Sequence, residues 1–360
     1  MVPDRFPTFT STASDPAERG REFGGTWRDE IHACRDRYLT LFESHGVVAD
    51  QVREWGDRAL GQLIAWAPEL HDEIAGIADG AGLPVWQAGA LNARTEILAA
   101  ARATLSECST AVVLPGVGQP PRTIQTWDWH PSMHGGALAW AYEPRNGVTV
   151  RTFTEPGMLS KIGVNSAGLG LHFNLLRHAS DHDAIGVPIH AVARRILDVA
   201  TTVDQAIAIA RSASLSASTV LTVATFHEGV ASVQGLELSP AGVAMVGGSN
   251  GRYVHTNHFL DPRLSAGEWR GPEPPTTYDR LKYLRANIDR LSSADLSTRV
   301  GAMLSHAEDG AAVCRHAAAD EPFRLRSETL ATISFDLASC RLAIHPGGPC
   351  NASAATWQVF

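Results

Sequence analysis

A break in texture at residues 107/108 limits the fold of this chain more than any other feature. Residues 1–107 carry 10 basic and 17 acidic side chains, a net of −7, whereas the 253 residues that follow carry 20 and 21, a net of −1. Dense charge at helical spacing predicts amphipathic helices with one wet face. Sparse charge with short apolar runs predicts a buried, sheet-rich body.

The local patterns agree. Asp15–His45 reads as one long helix, with Phe23, Trp27, Ile31, Cys34, Tyr38 and Phe42 at three- and four-residue spacing. Asp15 followed by Pro16 makes a cap and first-turn proline, and Gly46 a stop. Ala49–Ala67, Pro68–Asp79 (stopped by Gly80) and Pro84–Ala103 continue the helical part. Beyond Cys108, the runs Thr110–Leu114, Thr123–Trp129, Ala137–Tyr142 and Val148–Thr154 read as successive antiparallel strands. Ser160–Val164 and Gly168–Asn174 extend the series. A helix fits Pro188–Arg211, and strands return at Val220–Phe226, Val230–Leu238 and Val243–Val246. Thr277–Leu291 and Leu296–His306 read as helices, Thr329–Asp336 and Ser339–His345 as a closing hairpin. Helices and antiparallel strands in separate blocks predict a layered α+β architecture.

With 44% apolar and 19% charged residues, 360 residues can bury a large core. A net charge of −8 argues against nucleic acid and anionic membrane as partners. No apolar run reaches the roughly 18 residues of a membrane helix. The segment MVPDRFPTFTSTASDPAERG lacks the apolar centre of a secretory signal. Five cysteines with no CxxC pair suggest neither a disulfide framework nor a cysteine-rich zinc site. A cytoplasmic protein is the expectation.

Cys108 stands where charged helices meet the first apolar strand. A cysteine there packs as a small hydrophobe or serves as a nucleophile. Asp128, between Trp127 and Trp129, is a lone carboxylate in an apolar strand; it needs a partner if buried, and none if it faces water on an edge strand. Asn257 reads as a turn residue. His255 and His258, like His130 and His134, could form a metal pair, but neither pair has a nearby third ligand, and Pro131 keeps the second pair off one helix face.

Several segments together resemble one family. They are Cys108-Ser-Thr110, Thr126-Trp-Asp-Trp129, Gly163-Val-Asn-Ser-Ala-Gly168, Gly186-Val-Pro-Ile-His190 with Arg194-Arg-Ile-Leu197, and His255-Thr-Asn-His258. In this order and at these intervals they resemble the penicillin acyltransferase family, most strongly over residues 108–260. The resemblance implies an αββα four-layer sandwich of the N-terminal-nucleophile hydrolases. It implies a precursor that cuts itself between Glu107 and Cys108, leaving residues 1–107 as a helical chain retained beside a catalytic chain 108–360. Cys108 would then be the nucleophile, its own freed α-amine the base, and Asn257 the oxyanion donor. Asp128 would assist cleavage, and Arg326 would pair with Asp128 or orient substrate, with Arg324 as the other choice for that arginine. The implied activity is amide hydrolysis or acyl transfer through a Cys108 thioester on an N-acyl amine, small peptide or acyl thioester. A coenzyme A thioester is one acyl donor it allows; no cofactor, metal, nucleic acid or membrane is called for. An uncleaved ligand-binding member of the fold and a metal-dependent hydrolase using the clustered histidines are the alternatives. Two departures stand out: Glu107 where the namesake has Gly, and Thr126 where Asn often precedes Trp-Asp.

Overall fold

In the computed structural model, which describes residues 4–103, 108–144, 146–269 and 276–360, helices give way to strands at the predicted break. A short strand, β1 (Thr8–Thr10), precedes six helices: α1 (Pro16–Thr26), α2 (Arg28–Ser44), α3 (Ala49–Trp66), α4 (Pro68–Ala81), α5 (Val85–Asn92) and α6 (Arg94–Ala100). Then come β2 (Ser109–Val113), β3 (Arg122–Trp129), β4 (Leu138–Tyr142), β5 (Val150–Thr154), β6 (Ile162–Asn165) and β7 (Leu169–Leu175). After α7 (Ile189–Val199) and α8 (Val203–Ser212) follow β8 (Thr219–His227), β9 (Val230–Ser239), β10 (Gly242–Val246) and β11 (Arg252–His255). The last part holds α9 (Pro262–Ser265), α10 (Thr277–Ala286), α11 (Ile288–Leu291), α12 (Leu296–Gly301), β12 (Glu328–Asp336), β13 (Arg341–Pro346) and β14 (Gln358–Val359).

Asp15 caps α1 as expected, accepting from the Glu18 N–H at 3.1 Å. The predicted helix 15–45 is two helices, broken at Trp27. The reason is tertiary: α1 crosses α4 so closely that a Cβ on Gly24 would lie 2.2 Å from the Ile77 carbonyl oxygen, and one on Gly20 equally close to that of Glu73. The glycines permit this crossing but weaken the helix end. The expected helices 84–103 and 188–211 are likewise split, at Ala93 and between Val199 and Val203.

The strands form two sheets. The eight-stranded sheet runs β1-β4-β5-β6-β7-β8-β9-β10 and the six-stranded sheet β11-β2-β3-β12-β13-β14. All pairings are antiparallel except β1 with β4, where Thr8 pairs with Ala139. The run of strands 110–154 is therefore shared between sheets rather than forming one meander. The sheets face each other: Gln125 Nε2 donates to the Phe173 carbonyl at 2.7 Å, and the His172 ring stacks on Phe335 with centroids 4.1 Å apart. On the outer side of the larger sheet Asn165 Nδ2 bonds the Leu197 and Ala200 carbonyls at the end of α7. On the outer side of the smaller one Ala111, Val113, Ile124 and Val254 pack with Leu281, Leu284, Leu291, Val300 and Met303. The order of layers is α, β, β, α.

The first 103 residues are locked to this sandwich by apolar packing and two buried ionic networks. Phe23 lies on Trp140 at 4.3 Å between centroids. Glu73 of α4 accepts from Arg19 of α1 and from Arg194 of α7, at 2.5 and 2.8 Å. Glu155, just past β5, accepts from Tyr38 of α2 at 2.5 Å, Arg94 of α6 at 3.0 Å and Lys161 at 2.6 Å. Near the two ends of the chain, the Phe6 N–H donates to Gln358 Oε1 at 3.1 Å, and Gln358 Nε2 returns a bond to the Phe6 carbonyl at 3.0 Å.

Candidate active site

Strand register sets the surroundings of Cys108. The cysteine lies just ahead of β2, whose Ser109 stands opposite Thr126 of β3, so Cys108 falls beside Trp127 and Asp128. On its other side β2 pairs with β11, Thr110 opposite His255, and the chain leaving β11 passes Cys108 at Asn257. Thr329 of β12 stands opposite Asp128, and its hydroxyl donates to Asp128 Oδ1 at 2.7 Å.

Cys108 is only 4% exposed. Its N–H donates to Asn257 Oδ1 at 2.8 Å, while Asn257 Nδ2 donates to the Leu175 carbonyl at 2.8 Å. These opposed bonds fix the orientation of the amide: acceptor towards Cys108, donor towards β7. Nδ2 carries two hydrogens, so its bond to Leu175 leaves one for another acceptor. Arg280, wholly buried on α10, binds this corner from behind. It donates Nη1 to the Cys108 carbonyl and to Ser109 Oγ, at 2.8 and 2.9 Å, and Nη2 to Asn257 Oδ1 at 3.0 Å.

In the unbroken chain, burial together with the nearby Asp128 carboxylate pushes the Cys108 thiol up to about 12, against opposing pulls from the Asp128 backbone N–H, Lys161 and Arg280. The sulfur is therefore a protonated thiol near neutral pH and needs a proton acceptor before it can attack. Lys161 lies close enough to be felt by it, with Nζ 3.4 Å from the centre of the Trp127 ring. Burial pushes Lys161 down to about 7; Glu155 opposes and Arg94 reinforces that shift. Burial alone would raise Glu155, but Arg94, Lys161 and the Tyr38 hydroxyl hold it down at about 2, so it stays a carboxylate between two cations. Beyond Leu175 opens a narrow cleft of about 10 Å³, lined among others by Thr95, Arg102, Arg177, Asp181 and Trp269.

Of the residues singled out from sequence, Cys108, Asp128 and Asn257 come together; Arg326 does not join them. Its guanidinium binds the Glu321 and Ala319 carbonyls at 2.9 and 3.0 Å rather than Asp128. Arg326 follows the turn 323–325 ahead of β12, and its side chain reaches back to carbonyls of the loop before that turn. Arg324 is exposed. Glu107 lies outside the described residues. The histidines are engaged in hydrogen bonds: His255 to Glu237 at 2.9 Å, His258 to Thr277 at 2.8 Å, His130 to the Phe323 carbonyl at 2.7 Å, and His134 to Glu328 at 3.1 Å. Neither pair belongs to a group of three metal-ligand side chains among the described residues.

Arg280 and Lys161 are the residues that sequence reasoning missed. The signal for Arg280 was present: it shares the buried stripe Thr277, Arg280, Leu281, Leu284, where a charge is out of place without a partner. Nothing local marked Lys161.

Stacked antiparallel sheets between helical layers, with a cysteine heading an inner strand of one of them, define the N-terminal-nucleophile hydrolase fold. Residues 118–351 match the model of the family described as acyl-coenzyme A:6-aminopenicillanic acid acyl-transferase, and the chain belongs to that family. It is 28% identical over 352 residues to the 40 kDa form of acyl-coenzyme A:6-aminopenicillanic-acid-acyltransferase of Emericella nidulans, covering 96% of this chain and 94% of that protein. Among solved structures it is similar to penicillin V acylase from Agrobacterium tumefaciens, with a TM-score of 0.44 and 14% identity over 66% of this chain and 83% of that one. It is also similar to a mutant of conjugated bile acid hydrolase from Clostridium perfringens, with a TM-score of 0.46 and 11% identity over 70% and 91% of the respective chains.

Proposed function

We propose that this protein is made as a precursor that cuts itself between Glu107 and Cys108, and that the exposed cysteine then carries acyl groups as a thioester. The observation that carries this reading is the bond from the Cys108 nitrogen to Asn257 Oδ1, with Arg280 holding both residues. The nitrogen that cleavage would free is thus already held by an acceptor.

The chemistry balances in two stages. In cleavage the Cys108 sulfur attacks the Glu107 carbonyl carbon, the C–N bond breaks, and the nitrogen leaves as the α-amine carrying the thiol proton. Water then hydrolyses the resulting thioester, releasing the Glu107 carboxyl group. In turnover that amine, with an ordinary pKa of about 7.7–8.0, accepts the thiol proton without another base. The sulfur attacks an acyl carbonyl, and water or an acceptor amine takes the acyl group from the thioester. The second hydrogen on Asn257 Nδ2 serves the oxyanion. Arg280 keeps Asn257 in place, and Thr329 orients Asp128 beside the sulfur. Arg326 contributes by holding the loop ahead of β12.

The substrate class is an N-acyl amine, a small peptide or an acyl thioester such as one of coenzyme A. After cleavage the 1–107 piece stays bound through the networks of Glu73 and Glu155 and through β1. Mass measurement and N-terminal sequencing of the purified protein test the proposal. Two pieces are expected, the larger beginning at Cys108. One intact active chain, or a larger piece beginning elsewhere, overturns it.

A further inference from the structure

Away from Cys108, the last third of the chain brings four metal-ligand side chains together. His306, Cys314, His316 and Cys350 each offer one nitrogen or sulfur atom, and these four atoms all lie within 4.8 Å of one another. No motif announces the cluster, because the ligands come from two separate connections, α12–β12 and β13–β14, with no CxxC pair among them. His306 precedes the turn 307–309, Cys314 and His316 lie on the extended stretch after it, and Cys350 sits in the turn 349–351.

From this geometry we infer that the four residues form a structural zinc site, independent of the proposed acyl chemistry. A tetrahedral zinc with Zn–S near 2.3 Å and Zn–N near 2.0–2.1 Å sets sulfur and nitrogen about 3.5 Å apart. Here Cys350 Sγ lies 3.3 Å and Cys314 Sγ 3.8 Å from His316 Nε2, on either side of that spacing. The His306 and His316 rings face one another with centroids 5.2 Å apart. Two thiolates and two neutral imidazoles balance the charge of a divalent ion, and the mixed sulfur and nitrogen set suits zinc rather than calcium or magnesium. With four protein ligands no coordination position remains open for substrate. Gly348 fits this arrangement: a Cβ there would lie 2.6 Å from Cys314 Sγ. Burial is graded, with Cys314 inside and His316 exposed, so an ion can enter from solvent and be held against the body.

The site also braces the candidate active site. Arg315, between two of the ligands, accepts from the Thr329 N–H at 3.1 Å and donates its own N–H to Thr329 Oγ1 at 2.9 Å; that hydroxyl in turn donates to Asp128.

The test is metal analysis of the full chain, purified with a thiol reductant and no chelator, loaded with zinc and dialysed. About one zinc per chain is expected, falling below about a tenth in Cys350→Ser and His316→Asn. Replacing zinc by cobalt(II) should give thiolate-to-metal charge-transfer bands and the visible bands of tetrahedral cobalt, and metal removal should lower the melting temperature by several degrees. His316 is exposed, so its variant keeps the test decisive if Cys350→Ser fails to fold. Zinc well below one per chain, equal zinc in the variants, or a cobalt spectrum without thiolate bands overturns the site. So does a thiol count showing Cys314 and Cys350 joined as a disulfide.

Discussion

The two sheets use their polar residues for different ends. On the eight-stranded side, Tyr142, Glu155 and Lys161 look towards the first 103 residues, where they meet Arg19, Tyr38 and Arg94 through networks with no measurable exposure at Glu73 or Glu155. On the six-stranded side, Asp128, Thr329, Asn257 and Arg280 gather round one cysteine just ahead of β2. The first set fastens one part of the chain to the other; the second is an arrangement that chemistry can use. The lesson is that buried charge alone does not locate a site, since Glu155 is held well below its ordinary value yet joins one part of the chain to the other, and Lys161, its partner, also acts on Cys108.

Substitutions that separate the two roles should differ in kind and in size. Cys108→Ala should have the largest effect: one intact chain by electrophoresis, no measurable acyl transfer, and a melting temperature close to the parent. Glu155→Leu should act on the other side, removing the counter-ion of Arg94 and Lys161 at a cost of about 3–5 kcal/mol in a urea titration. If it instead abolished cleavage at unchanged stability, the division between sheets would fail. Asn257→Ala should slow turnover by about a hundred- to a thousandfold with little change in KM, as loss of one oxyanion donor does. A raised KM at normal kcat would move Asn257 into substrate binding.

A smaller effect is expected from pH. The folded-state value of Glu155 is held below its unfolded value of 4.5, so its stabilisation is complete above that value and is lost as pH falls through about 2. The difference in urea midpoint between parent and Glu155→Gln should therefore shrink on acidification across that window. Glu96, which burial pushes up to about 7, contributes with the opposite sign and cancels in the difference. The smallest effect belongs to Arg252→Ala: its ion pair with Asp289 at the rim of the smaller sheet is largely exposed, and its loss should cost about 0–1 kcal/mol.

Sequence pattern revealed most of the elements, because periodicity and stop signals are local. The cap at Asp15 and nearly all strands of the central body were legible. The break at Trp27 was not, because it follows from the crossing of α1 over α4. Sheet membership was hidden for the same reason: β3 and β4 are neighbours in sequence but belong to different sheets. Cys108, Asp128 and Asn257, which the fold brings together, were singled out through spaced motifs taken together. Two other segments of that set are structural: Asn165 closes the turn 165–169 by accepting from the Ala167 and Leu169 N–H groups, and His190 stacks on Phe173 and bonds the Ser160 carbonyl. Arg280 was missed because its partners Asn257 and Cys108 lie more than 20 and 170 residues away in the sequence. The His306–Cys350 cluster was missed because two loops with β12 and β13 between them assemble it.

The paired bonds between Phe6 and Gln358 have a practical consequence. They bring the two ends of the described chain side by side, so a short linker could join residue 360 back to residue 4 while the gene is reopened at the 107/108 junction. Such a circular permutant would be translated as Met-Cys108, and removal of the initiator methionine ahead of so small a side chain would leave Cys108 first. It would present the terminal amine without the proposed cut between Glu107 and Cys108, and would separate that proposed cut from the proposed acyl chemistry.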